Sequence, residues 1–195
     1  MTIAFVLGNG ISRKDVSLPY LKQRGKLYGC NALYREFVPD VLVATDKPIA
    51  TKIQESGYAL ENIFYTRHPI DNLGARRLSA DYRGYSSGPN AVALAAEERS
   101  SKIFLLGFDM GPTEGNLFNN VYADTEFYKS ATNSPTYTGN WVKQICQVIS
   151  KFPHTQFYRI YGSTTARIPE LERLKNLEHQ PLDSFVDRIN NQKDL

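Results

Sequence analysis

Short apolar runs rich in Val, Ile, Leu, Phe and Tyr recur along this chain, and a helical pattern follows most of them. The runs occupy residues 3–7, 26–30, 41–45, 62–66, 102–106 and 156–161. Helical patterns occupy 18–24, 48–55, 89–99, 140–151 and 169–174. Runs without strict alternation are what strands show when both faces of their sheet are covered. Alternating β and α elements of this length predict a single Rossmann-like α/β domain with a mostly parallel, doubly wound sheet. A chain of 195 residues builds one such core and is too short for two comfortable ones. Residues 1–179 read as the α/β domain and 180–195 as a polar C-terminal appendage ending in a short helix.

Charge and cysteine usage narrow the class. The net charge of +3 is mild and its Lys and Arg are scattered among acids. A nucleic-acid-binding domain concentrates its basic residues on one face, so nucleic acid is not the expected partner. Cys30 and Cys146 stand in no ligand-like spacing and read as reduced, packed thiols. The first apolar run stops at Gly8, so a leader of the usual form is not expected, and no stretch is long enough to cross a bilayer. A cytoplasmic protein without a transmembrane segment is expected, and nothing opposes a homo-oligomer.

Two segments break the rhythm. Residues 67–88 carry Arg67, His68, Arg76, Arg77 and Arg83, and residues 108–139 are rich in Asn, Thr, Gly, Pro and Tyr. Loops that long in a compact domain are functional or disordered, and the aromatic content of the second suits a lid over a site. Ligands of open α/β sheets bind at the carboxyl ends of the strands. Gly8-Asn9-Gly10, Asn31, Asp46 and Asp109 lie at such ends, and Ser86-Ser87-Gly88-Pro89 opens a helix. Gly-Asn-Gly is either a plain tight turn or a place where backbone N–H groups meet a phosphate. It is neither the dinucleotide fingerprint nor a P-loop: Arg13 stands where the third glycine belongs, and no Gly-Lys-Ser/Thr follows. Ser-Gly-Pro at a helix start leaves N–H groups open on the positive end of the dipole. Together these ends predict a phosphate-bearing ligand.

The stretches "VLGNGIS", "LYGCNALY" and "SSGPNAVALAAEERSSKIFLLGFDM" resemble the small bacterial sialyltransferases that use CMP-sialic acid, in order and approximate spacing, over residues 3–161. The resemblance implies a CMP or CMP-sugar ligand, with Asn9, Gly10, Asn31, Ser87 and Gly88 on the nucleotide side and a glycan as acceptor. Tyr122-Ala123-Asp124 is similar to a lid stretch whose Tyr touches the donor phosphate. Tyr137-Thr138-Gly139-Asn140 is similar to the family's Tyr-x-Gly-His, whose His is the general base. Here the base position holds Asn140, an amide that accepts no proton near neutral pH. Asp46 stands where the family has Asn, and Arg83 lies one residue before the place of a family Arg. On this reading Asn140, Tyr137 and Tyr122 form the catalytic set, and Gly8, Asn9, Gly10, Asn31, Asp46, Ser86, Ser87, Gly88 and Asp109 the nucleotide-binding set.

A looser likeness, through Pro39-Asp40 and Asp46, is to hydroxymethylpterin diphosphokinase-like and motility-associated glycosylation proteins. It implies the alternative of a Mg²⁺-assisted, nucleotide-dependent diphosphokinase-like transferase, which accounts for Asp46; from the residues themselves, Asp46 with Asp109 is the remaining metal option. A non-catalytic nucleotide-binding protein is the third reading, and it accounts for Asn140. His68, His154 and His179 read as loop, turn and C-terminal residues. No His/Cys metal site is expected, and no resident cofactor.

Overall fold

The computed structural model describes residues 2–191. An eight-stranded, wholly parallel sheet forms its middle layer. In chain order the strands are β1 (Ile3–Leu7), β2 (Lys26–Cys30), β3 (Val41–Ala44), β4 (Phe64–Thr66), β5 (Arg76–Arg77), β6 (Lys102–Leu106), β7 (Gln156–Tyr161) and β8 (Leu177–Pro181). In space they run β5-β4-β3-β2-β1-β6-β7-β8. The chain winds outward from β1 to one edge, then returns to the other side of β1 as β6. The strand order therefore reverses between β1 and β6, and a crevice opens beyond their carboxyl ends.

The period-two alternation of a strand divides the apolar residues between two cores. Ala4, Val6, Tyr28, Val43, Ile103 and Leu105 face α4 (Ser87–Glu97) and α5 (Gly139–Lys151). Phe5, Leu7, Leu27, Leu42, Phe104 and Leu106 face the opposite layer. That layer holds α1 (Leu18–Lys22), α2 (Lys47–Glu55), the short α3 (Tyr58–Glu61) and α7 (Leu182–Asn190). A one-turn α6 (Pro169–Glu172) leads into β8. The expected single α/β domain is present, and the long loop of residues 108–138 spans the cleft between β6 and α5.

The C-terminal stretch departs from the expected appendage. The boundary drawn at residue 179 falls inside β8, which pairs with β7 from Phe157↔Leu177 to Tyr161↔Pro181. Beyond it, α7 buries Phe185 against Phe5 and Phe104, with ring centroids 6.3 and 5.5 Å apart. Residues 192–195 lie outside the described residues. An edge strand is half solvated and carries polar side chains, so Leu-Glu-His-Gln-Pro gives no continuous apolar signal. Phe185→Ala should lower folding stability by about 3–5 kcal/mol, as truncation of a fully buried aromatic does. A urea titration that finds less than about 1 kcal/mol would show that α7 is not integral to the core.

Candidate functional site

The crevice at the switch point is a cleft of about 440 Å³. The β1 loop, the ends of β2 and β3, the start of α4 and the long loop line it. Gly8, Asn9, Gly10, Asn31, Asp46, Ser86, Ser87, Gly88 and Asp109 all contribute to this lining. Their roles differ from one another.

The Gly8-Asn9-Gly10 loop is turned toward the protein. Gly8 N–H donates to Leu106 O and Gly10 N–H to Gly107 O, each at 2.8 Å. Ile11 N–H donates to Asn119 Oδ1 and Ser12 N–H to Asp109 Oδ2. A Cβ on Gly8 would sit 2.5 Å from Gly107 O, and one on Gly10 2.4 Å from Asp109 Cγ. These glycines are therefore required by the close approach of two backbone loops. A phosphate cradle of consecutive N–H groups is not formed there. Asn9 donates through Nδ2 to the Tyr128 hydroxyl at 3.4 Å, and its Oδ1 is buried without a partner.

Asp109 is the fastener of the cleft floor. Its carboxylate, in a residue only 2% exposed, accepts from Ser12 N–H and Oγ, Asn119 Nδ2 (3.2 Å), Thr164 Oγ1 (2.8 Å) and Thr165 Oγ1 (3.0 Å). These donors leave no oxygen for a ligand or a metal, so the Asp46–Asp109 metal option has lost one member. Among the described residues no group of three or more His, Cys, Asp or Glu converges. Asp40, the other acid of the looser likeness, is at the amino end of β3, bonded to Leu27 N–H and paired with Lys22. Behind Asp109, the buried Arg159 donates to the carbonyls of Phe108, Asp109 and Ala166.

The start of α4 is open. Its N-cap, Ser86, makes no side-chain cap bond. The Ser87 hydroxyl is held by Thr45 N–H at 3.0 Å and donates to Asn31 Oδ1 at 2.8 Å. That bond fixes Asn31, whose φ of 52° is left-handed. The Ser87 and Gly88 N–H groups find no acceptor among the described residues, and both residues line the cleft wall. The first N–H groups of a helix carry a partial positive charge, an environment that favours negative groups. Lys129, on the long loop, is the one cation among the described residues that line the cleft.

The three expected catalytic residues lie elsewhere. Tyr122 is buried, donating to Glu36 Oε1 and accepting from Arg13 Nη2. Burial raises its pKa strongly, against the pull of Arg13. Tyr137 is 77% exposed and Asn140 is exposed on the first turn of α5, and neither lines the cleft. Arg83 and His68 are also outside the lining. Tyr128 is the tyrosine that faces the ligand space. Its hydroxyl accepts from Asn9 Nδ2 and Ala32 N–H, and burial pushes its pKa up to about 12. The length and composition of the loop mark it in the sequence, but an aperiodic segment gives no signal for which side chains turn inward.

No protein-family model and no curated protein matches the chain. Among the described residues no helix is long and apolar enough to cross a membrane. One solved structure that matches is a sialyltransferase from Campylobacter jejuni, determined in complex with a substrate analogue, cytidine-5'-monophosphate. The match covers 82% of this chain and 79% of that one, with a TM-score of 0.46 and 14% sequence identity.

Proposed function

We propose that the cleft binds CMP or a CMP-sugar, and that the chain is a sialyltransferase-like protein of glycosyltransferase fold. The observation that carries this is the uncapped start of α4, whose Ser87 and Gly88 N–H groups open into the cleft. A phosphate satisfies both donors and complements the helix dipole. Lys129 supplies a second positive group on the facing loop, and Phe108, Phe118 and Trp141 offer apolar surface for a base or sugar. The choice of cytidine rests on the order of the sequence motifs. The Mg²⁺-assisted alternative is left with Asp46 as its one open carboxylate, because Asp109 is fully engaged.

Thermal unfolding in the presence of CMP, CDP, UDP, GDP and ATP, with and without Mg²⁺, tests the reading. CMP should raise the melting temperature without Mg²⁺, by mass action on the folded state. Lys129→Ala should weaken CMP binding about tenfold, since a bond to a charged group contributes roughly 1.5 kcal/mol at an exposed position. No shift with any of the nucleotides near ~1 mM would end the proposal.

A further inference from the structure

Beyond the large chamber the cleft continues into a smaller one of about 160 Å³. Asn31, Asp46, Phe127 and Tyr128 line both chambers, and Pro48 and Ile49 close the small one. Two ligands held side by side would therefore meet at those four side chains. The chemistry available at the junction can be read off them. Asn31 Oδ1 is occupied by the Ser87 hydroxyl. The Tyr128 phenol, with its raised pKa and two incoming N–H bonds, is a proton donor and not a base near neutral pH. Phe127 carries no ionisable group. Of the four, Asp46 offers carboxylate oxygens that no group among the described residues holds.

Local structure explains why those oxygens are open. Asp46 is the N-cap of α2, a position from which an Asp side chain ordinarily accepts an N–H of the first turn. It makes no such bond here, and Pro48, in that turn, has no N–H to give. Asp46 itself lines both chambers and is exposed. The charged group felt from the neighbouring strand end is Arg67, just past β4, whose pKa falls through burial while the Asp46 charge opposes that fall. Its Nη2 is buried without a partner among the described residues, and its charge acts on Asp46.

The small chamber has the composition of a sugar site. Phe127 and Tyr128 provide rings for the C–H face of a pyranose, Pro48 and Ile49 add apolar wall, and Asn31 and Asp46 add polar groups suited to hydroxyls. Phe127 is 45% exposed and has a φ of 73°, a conformation that bulky residues adopt only when their surroundings impose it. Its loop is tied across the junction by Glu126, which pairs with Arg35 and with Lys52 of α2.

We propose that the small chamber is the acceptor subsite for a sugar hydroxyl, and that Asp46 is the catalytic base that takes its proton. The inference rests on the reading of the large chamber as a CMP-sugar site, and it moves Asp46 from nucleotide binding to chemistry. In the transfer step the hydroxyl oxygen forms a bond to the anomeric carbon of the donor sugar. The bond from that carbon to the phosphate oxygen breaks, and its electron pair leaves with CMP. The hydroxyl proton passes to an Asp46 oxygen and is later returned to water. A carboxylate is a weak base toward a free hydroxyl, but the proton becomes strongly acidic as the new C–O bond forms. Carboxylate bases activate water in this way in inverting glycosidases. A base at residue 140 is then not needed.

The test uses CMP-sialic acid as donor, with lactose or water as acceptor, and follows CMP release. Asp46→Asn preserves shape and removes the charge. Its kcat should fall about 10²–10⁴-fold, with KM and CMP-induced thermal stabilisation unchanged. Asp46→Ala should regain part of the rate on addition of formate, an effect that a structural role would not produce. Equal CMP release by parent and Asp46→Asn, including equal rates at the buffer level, overturns the inference while leaving CMP binding intact. Loss of CMP binding in parallel with rate overturns it as well, by making Asp46 a donor-site ligand. A parent that CMP does not stabilise overturns the large-chamber reading itself.

Discussion

Asp109→Asn should destabilise the fold by about 3–5 kcal/mol, the range seen when one partner of a buried charged network is removed. The amide can accept at only one atom and brings two N–H donors of its own. Of the donors that now converge on the carboxylate, those facing the new NH₂ group would be left unsatisfied in a nearly dry site. The Arg159 guanidinium would also lose the nearby negative charge that opposes the cost of its burial. Three chain segments depend on this one side chain: the turn at Ser12, the long loop at Asn119, and the residues after β7 at Thr164 and Thr165. CMP stabilisation should therefore disappear together with stability. Denaturant unfolding within about 1 kcal/mol of the parent would show that the network is dispensable.

Stability should also fall steeply as the pH rises above about 9. Burial raises the Cys30 thiol from 9.0 to about 12, against the attraction of Arg13. A group whose folded pKa is raised stabilises the fold fully below its unfolded value and loses that effect as the pH climbs to the folded one. For Cys30 the window runs from pH 9 to about 12, at about 1.4 kcal/mol per pH unit. Above pH 10 the buried phenols of Tyr58 and Tyr128, both raised to about 12 chiefly by burial, steepen the loss. Arg159 works the other way. Burial pulls it down to about 10, so its burial becomes less costly between there and 12.5. Arg67, also lowered by burial, acts in the same sense, and the net slope stays downward because the buried thiol and phenols outnumber these two bases. Urea midpoints from pH 8 to 11 measure the effect, and Cys30→Ala should flatten the part between pH 9 and 10. A flat profile from pH 8 to 10 in the parent would contradict the burial of this thiol.

The interior of the sheet was legible because parallel strands covered on both faces are apolar on both faces. Residues 3–7, 26–30, 102–106 and 156–161 become β1, β2, β6 and β7 with the expected bounds. The edges were not legible. β5 is two exposed arginines, and β8 is Leu-Glu-His-Gln-Pro, so neither carries a burial signature. At the site, Asn31, Asp46 and Ser87 could be placed together because strand and helix ends meet at one edge of such a sheet. Tyr122 could not be distinguished from Tyr128. What turns Tyr122 inward is the distant Arg13–Glu36 pair, and what brings Tyr128 to the cleft is Asn9, contacts between residues more than eighty positions apart. The glycines of the first loop were legible as a close approach, but the partner proved to be Gly107 and Asp109 and not a phosphate.

The strand order also dictates a schedule for the nascent chain. β1 sits at the centre of the sheet with β2 on one side and β6 on the other. During synthesis the half-sheet from β1 to β5 can assemble while the second edge of β1 waits for its partner. That partner follows about 95 residues later, roughly 5–20 s at ribosomal speed. Throughout that interval Ile-Ala-Phe-Val-Leu presents unpaired N–H and C=O groups flanked by apolar side chains, a surface that other chains can extend. A product arrested before Lys102 would keep this edge permanently, and should aggregate instead of accumulating as a soluble half-domain.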